Sequence, residues 1–135
     1  MVNTCGVCDL VNFIPPVSHD VALEFMKSAS INLVLEANME NGVFLPSKVA
    51  DIVSCKTPIL TISPQNGVMH DLIVQYGGGV WADCDSVDSI ADALRTIIRD
   101  WNDNRFEDSK YSTKLLEDTF SPSKVYEDYV KAIHL

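Results

Sequence analysis

The sequence predicts an α/β fold: a Rossmann-like parallel sheet of about four strands with helices on both faces. Three observations carry this. Short apolar runs alternate with helical patterns, which is how strand–helix–strand units read. The runs are continuously apolar rather than alternating, as strands covered on both faces are. Proline or glycine bounds most of them.

Taken in order, Leu10-Val11-Asn12-Phe13-Ile14 reads as the first strand, stopped by Pro15-Pro16. Ser18 then caps a helix with Ala22, Phe25, Met26 and Ala29 on one face. Ile31-Asn32-Leu33-Val34-Leu35 is the second strand, and a long loop over 36–45 leads to a short helix over about 47–55. Pro58-Ile59-Leu60-Thr61-Ile62 is the third, with proline tolerated at its first position. Val68, Met69, Leu72, Ile73 and Tyr76 line the next helix, which Gly77-Gly78-Gly79 ends. Val80-Trp81-Ala82 is the fourth strand. Asp85 or Ser86 caps a long helix carrying Ile90, Leu94, Ile97, Ile98 and Trp101 on one face. Two helices follow, the clearer one starting at Ser121-Pro122 with Val125, Tyr129 and Ile133 inward.

The 135 residues fit one domain, with an α/β core over about 10–104 and C-terminal helices over 105–135. Apolar residues at 47% and charged ones at 21% are enough for a packed core. A net charge of -9 repels phosphate chains, which argues against nucleic acid but not against a single nucleotide. Neither a membrane-length apolar run nor a basic-then-apolar leader is present, so a cytoplasmic protein is expected. Cys5 and Cys8 form one C-x-x-C, and Cys55 and Cys84 stand alone. A structural zinc site needs a second pair of ligands at short spacing, so no metal is expected.

Ligands of open α/β sheets bind beyond the strand carboxyl ends, where loops meet helix starts. Three loops qualify: 14–18, 36–47 and 63–67. In the middle one, Pro46 precedes a candidate N-cap, Ser47, and Lys48 opens the helix. Free amides and the lysine favour an anion there, although ordinary capped helices look the same. Asp51, one turn in, can accept hydrogen bonds from ribose hydroxyls or simply complement the helix dipole.

Residues 44–60, Phe-Leu-Pro-Ser-Lys-Val-Ala-Asp-Ile-Val-Ser-Cys-Lys-Thr-Pro-Ile-Leu, resemble the "LPSK-x-x-E-Y-L-A-x-G-K-P-I-L" segment of family 4 and related GT-B glycosyltransferases. Four flanking pieces are similar in order and spacing. Val11 to Val17 resembles "V-x-F-x-G-x-V", and Met26 to Val34 resembles "M-x-x-A-D-I-x-L-V". His70 to Val80 resembles "E-x-I-x-x-x-x-x-G-x-x-V", and Val87 to Leu94 resembles "V-x-x-I-A-x-A-L". The resemblance covers residues 10–134.

It implies the later part of the C-terminal, donor-binding domain of a retaining, metal-independent enzyme. Such an enzyme moves a hexose or aminosugar from a nucleoside diphosphate sugar, here in surface polysaccharide assembly, and its parent sits at the membrane periphery. The substrate is the nucleotide sugar, and no cofactor is implied. In that family the carboxylate matching Asp51 binds the ribose. The backbone of the loop matching Ile14, Pro15 and Val17 contacts the base. The helix start matching Pro46, Ser47 and Lys48 faces the diphosphate or the sugar.

The chain departs from the pattern at named places. Asp51 replaces glutamate, Val43 stands where family 4 often has another glutamate, Lys56-Thr57 replaces "G-K", and Pro15 or Pro16 stands where a glycine is usual. The opening "G-R-x-x-x-x-K-G" strand and helix, its following strand and the N-terminal acceptor domain have no counterpart. The piece alone is therefore expected to be inactive in transfer. In the order 3-2-1-4-5-6 the first two strands here would lie about 14 Å apart. The expected escapes are a shift of residues 10–14 to pair beside 31–35, giving four contiguous strands, or a symmetric homodimer in which two copies pair exposed edges or exchange this strand; the contiguous sheet with some dimerisation is the favoured expectation. Two other readings remain open: a related GT-B nucleotide-sugar epimerase, and a non-catalytic α/β binding module. A receiver module needs paired acids where Asn12 stands and an aspartate at Ser63, so neither position suits it.

Overall fold

A computed structural model of the chain describes residues 6–39 and 44–133. Its centre is a parallel three-stranded sheet, β1 (Asn32–Leu35), β2 (Ile59–Ser63) and β3 (Gly79–Asp83), in the order β1-β2-β3. The registers run from Asn32 opposite Ile59 and from Ile59 opposite Gly79. Among the described residues six α-helices accompany it: α1 (His19–Ser28), α2 (Lys48–Ser54), α3 (Val68–Tyr76), α4 (Val87–Asn102), α5 (Lys114–Thr119) and α6 (Pro122–Ile133).

The α/β class and the alternation agree with the sequence pattern, but the strand expected over 10–14 is absent. Residues 8–10 form a single 3-10 turn and residues 11–18 are irregular and exposed. A strand exists only through its ladder, and the diproline at 15–16 follows this segment directly. Strand-forming side chains alone do not place it against β1.

The two faces of the sheet are covered unequally. On one face Val34, Ile59, Val49, Ile52, Val53, Met69, Ile73 and Leu116 form the larger core, joined by Met26 of α1. On the other, α4 lays Ala93 and Ile97 over Leu60 and Ala82. The apolar stripe of α4 is wider than the sheet beneath it. Ile97 is buried, whereas Leu94, Ile98 and Trp101 stay largely exposed, as do Leu33 and Leu35 of β1.

The local signals are mostly where the sequence put them. Ser86 caps α4 by accepting from the Ser89 amide at 3.1 Å. Gly77 ends α3 at φ 71°. Gly79 lies so close to Ile59 that a Cβ there would stand 1.8 Å from the Ile59 carbonyl oxygen. Pro122 opens α6, and the Ser121 carbonyl accepts from the Val125 amide at 3.0 Å. Three expectations are corrected. Val125, Tyr129 and Ile133 are exposed, because the main packing partner of α6 is α5. Phe25 of α1 also faces out, leaving Met26 to reach the core. Ser18 begins α1 without any side-chain cap.

One polar cluster closes the C-terminal part. Asp100, inward on α4, is fully buried and accepts hydrogen bonds from Lys110 Nζ and from Tyr111 Oη, the latter at 2.9 Å. Arg99 and Arg105 stand 3.4 and 3.7 Å from its other oxygen. The Lys110 hydrogen bond, working against burial and helped by Tyr111, holds the Asp100 carboxyl down at about 2. Burial, then the bond to Asp100, pushes the Tyr111 phenol up to about 12. A buried carboxylate persists only when paired in this way.

Candidate functional site

α1 and α2 lie side by side, each delivering its first turn to the carboxyl end of the sheet. Asp51 stands in the first turn of α2 and remains part-exposed, as the sequence pattern placed it. Its Oδ1 lies 4.0 Å from Nε2 of His19, the first residue of α1. The chain reaches His19 through the loop holding Ile14, Pro15 and Val17, all three exposed. Lys48 is exposed at the first position of α2. These residues therefore share one end of the α1–α2 pair, where the His19–Asp51 contact brings two of the three expected loops together.

Ser47 differs from its expected role. Its backbone is already helical, at φ -56° and ψ -29°, and its side chain makes no cap bond. The Val49 amide instead bonds the Pro46 carbonyl at 2.9 Å, so the helical turn starts one residue early. An N-cap needs an extended backbone to aim its oxygen at the following amides, and Ser47 lacks one. Val43 and the rest of 40–43 lie outside the described residues, as does Cys5 of the Cys5/Cys8 pair.

A cavity of about 200 Å³ opens at the ends of all three strands, lined by Asn38, Met39, Pro64, Gln65, Asn66, Asp83 and Asp85. It lies between two of the three loops expected to meet a ligand, 36–47 and 63–67, but none of the candidate nucleotide-sugar residues lines it. Asn38 donates its side-chain amide to Asp85, and Asp83 accepts from the Asp85 amide at 3.0 Å. Two residues before Asn38, Glu36 has one buried oxygen with no partner among the described residues, and burial raises its pKa. Burial, then the charges of Asp85 and Asp83, raises the Cys84 thiol. Such a surface accepts hydrogen bonds from hydroxyl groups and repels phosphate.

The remaining polar groups at this end are structural. Ser63 accepts from Trp81 Nε1 at 3.1 Å, and His70 packs edge-on against the same indole at 4.6 Å. Among the described residues no serine or cysteine is bonded to a histidine, and no three metal-ligating side chains converge. The arrangement can bind and orient polar groups. His19 escaped the sequence reading; its signal was its place directly after the Ser18 turn that ends the 14–18 loop. Among the described residues no helix is long and apolar enough to cross a membrane.

No family model, no curated protein and no solved structure matches this chain.

Proposed function

We propose that the chain binds a nucleoside diphosphate sugar, as the later part of the donor-binding domain of a retaining, metal-independent GT-B glycosyltransferase of surface polysaccharide assembly. The observation that carries this reading is the part-exposed Asp51 carboxylate, in the first turn of α2 and 4.0 Å from His19. A carboxylate there accepts hydrogen bonds from ribose hydroxyls. Lys48, three residues earlier, supplies charge for the diphosphate, and the exposed 14–17 loop supplies backbone for the base. The five stretches in register with the family pattern support the same assignment. Transfer would come from binding and fixed positive charge and not from a covalent intermediate.

Calorimetry with uridine, guanosine and adenosine diphosphates, each against its nucleoside, tests this. Asp51→Ala should weaken binding about ten- to hundredfold, the worth of hydrogen bonds to a charged acceptor. Lys48→Ala should weaken the diphosphates and spare the nucleosides. Unchanged affinity in Asp51→Ala, or equal losses for both ligand types in Lys48→Ala, contradicts the roles given. The exposed apolar surface of Leu33, Leu35, Ile98 and Trp101 favours a second reading, a partner-binding α/β module.

A further inference from the structure

Two unsatisfied features of this chain are complementary. The first is the outer edge of β1. Asn32 and Glu36 donate their amides to the Pro58 and Ile62 carbonyls, at 2.8 and 2.9 Å. Alternation along a parallel ladder therefore turns the backbone N–H and C=O of Leu33 and Leu35 away from β2. Among the described residues they meet no backbone partner. The strand carries no lysine, proline or bulge, the usual protections of a free edge. Leu33 and Leu35 are 55% and 69% exposed.

The second feature is residues 11–14, Val-Asn-Phe-Ile, an uncharged strand-forming run without glycine. Among the described residues it has no strand partner, and it is open to solvent, with Phe13 82% exposed. α1 packs against α2, on the face from which a right-handed crossover would deliver a strand to the free edge of β1. The run nevertheless does not sit there. Pro15 and Pro16 each lock φ near -65°, and each proline holds the residue before it extended. That hinge opposes the tight turn from strand into α1 within one molecule. The same run arriving from another molecule meets no such constraint.

We propose that the chain forms a two-fold, strand-exchanged dimer in which residues 11–14 of each copy add a fourth strand to the free edge of β1 in the other. Exchange pairs the outward groups of Leu33 and Leu35 and covers their side chains with a second apolar strand. It makes every interface contact twice, as a closed symmetric dimer does.

Sedimentation of the full chain without any nucleotide, across a concentration series, tests this independently of ligand binding. The wild type should reach twice the 14.9 kDa chain mass. Phe13→Pro removes a donor from the incoming strand, and Leu33→Pro removes one from the receiving edge. Each should weaken the dimer by about tenfold or more, the worth of one or two paired groups. Hydrogen exchange at Leu33 and Leu35 should slow as the dimer fills. Phe13 lies outside the core, so Phe13→Pro decides the matter even if Leu33→Pro unfolds. A chain monomeric at every concentration overturns the proposal, as does a dimer that survives Phe13→Pro. Loss of the dimer in Leu33→Pro but not in Phe13→Pro indicates direct pairing of two β1 edges, and overturns it too.

Discussion

Nε2 of His19 lies 4.0 Å from Oδ1 of Asp51, and this contact ties the first residue of α1 to the first turn of α2. Both side chains are substantially exposed, so the pair adds little to stability. Asp51→Ala should lower the unfolding free energy by less than about 1 kcal/mol, the combined scale of a surface pair and a helix-dipole charge. Urea unfolding checks this. A larger loss would make Asp51 a structural residue, and any binding defect in the variant would then say nothing about ribose.

Lys56 ends α2 in the left-handed region, at φ 58°, with its amide bonded to the Val53 carbonyl at 3.0 Å. Glycine, which stands here in the pattern that residues 44–60 resemble, takes this conformation without steric cost. A side chain in this conformation costs about 1–2 kcal/mol. Lys56→Gly should therefore stabilise the chain by about 1 kcal/mol, even though it loses the surface pair with Glu117. A lower denaturation midpoint for the variant would contradict this.

Thr61 lies in the central strand with its hydroxyl buried and unpaired among the described residues. Valine has nearly the same shape and no hydroxyl to desolvate. Thr61→Val is expected to raise stability by about 1 kcal/mol or more. If the melting temperature falls instead, the hydroxyl has a partner in solution.

The Asp100 cluster contributes to both ends of the pH–stability profile. The Asp100 carboxyl is lowered from 3.8 to about 2, chiefly by Lys110, so its contribution is complete above pH 4. It is lost as the pH falls from 4 through 2. The Tyr111 phenol is raised from 10.0 to about 12, chiefly by burial, so its contribution is complete below pH 10. It is lost as the pH rises from 10 through 12. Denaturation midpoints measured across both windows should drop at each end. Asp100→Asn should flatten the acid limb, and Tyr111→Phe the alkaline one. An acid limb unchanged in Asp100→Asn would assign it to other carboxylates.

Most of the fold was legible because its signals are local. The apolar runs at 31–35, 58–62 and 80–82 became β1, β2 and β3 to within a residue or two, and Ser86 caps α4 as a serine before an amphipathic helix should. Residues 10–14 misled because strand-forming side chains do not report whether a neighbouring edge can be reached past Pro15 and Pro16. Val125, Tyr129 and Ile133 repeat at helical spacing, yet periodicity cannot say whether a surface lies opposite them. Asp100 was invisible for a related reason, since its partners Lys110 and Tyr111 are brought to it only by the turn after α4. At the site, the position of Asp51 followed from the helix start, whereas His19 and the acidic cavity at Asn38, Asp83 and Asp85 arise from loops packed together in space.

The central claim is that a nucleotide binds where the starts of α1 and α2 meet, and amide chemical shifts locate it most directly. Titrating the labelled chain with a nucleoside diphosphate should move the signals of residues 14–19 and 46–51, the latter less in Asp51→Ala. Residues lining the acidic cavity at Asn38, Asp83 and Asp85 should stay still for the diphosphate alone. No shifts at saturating ligand, or shifts confined to that cavity, would contradict the assignment.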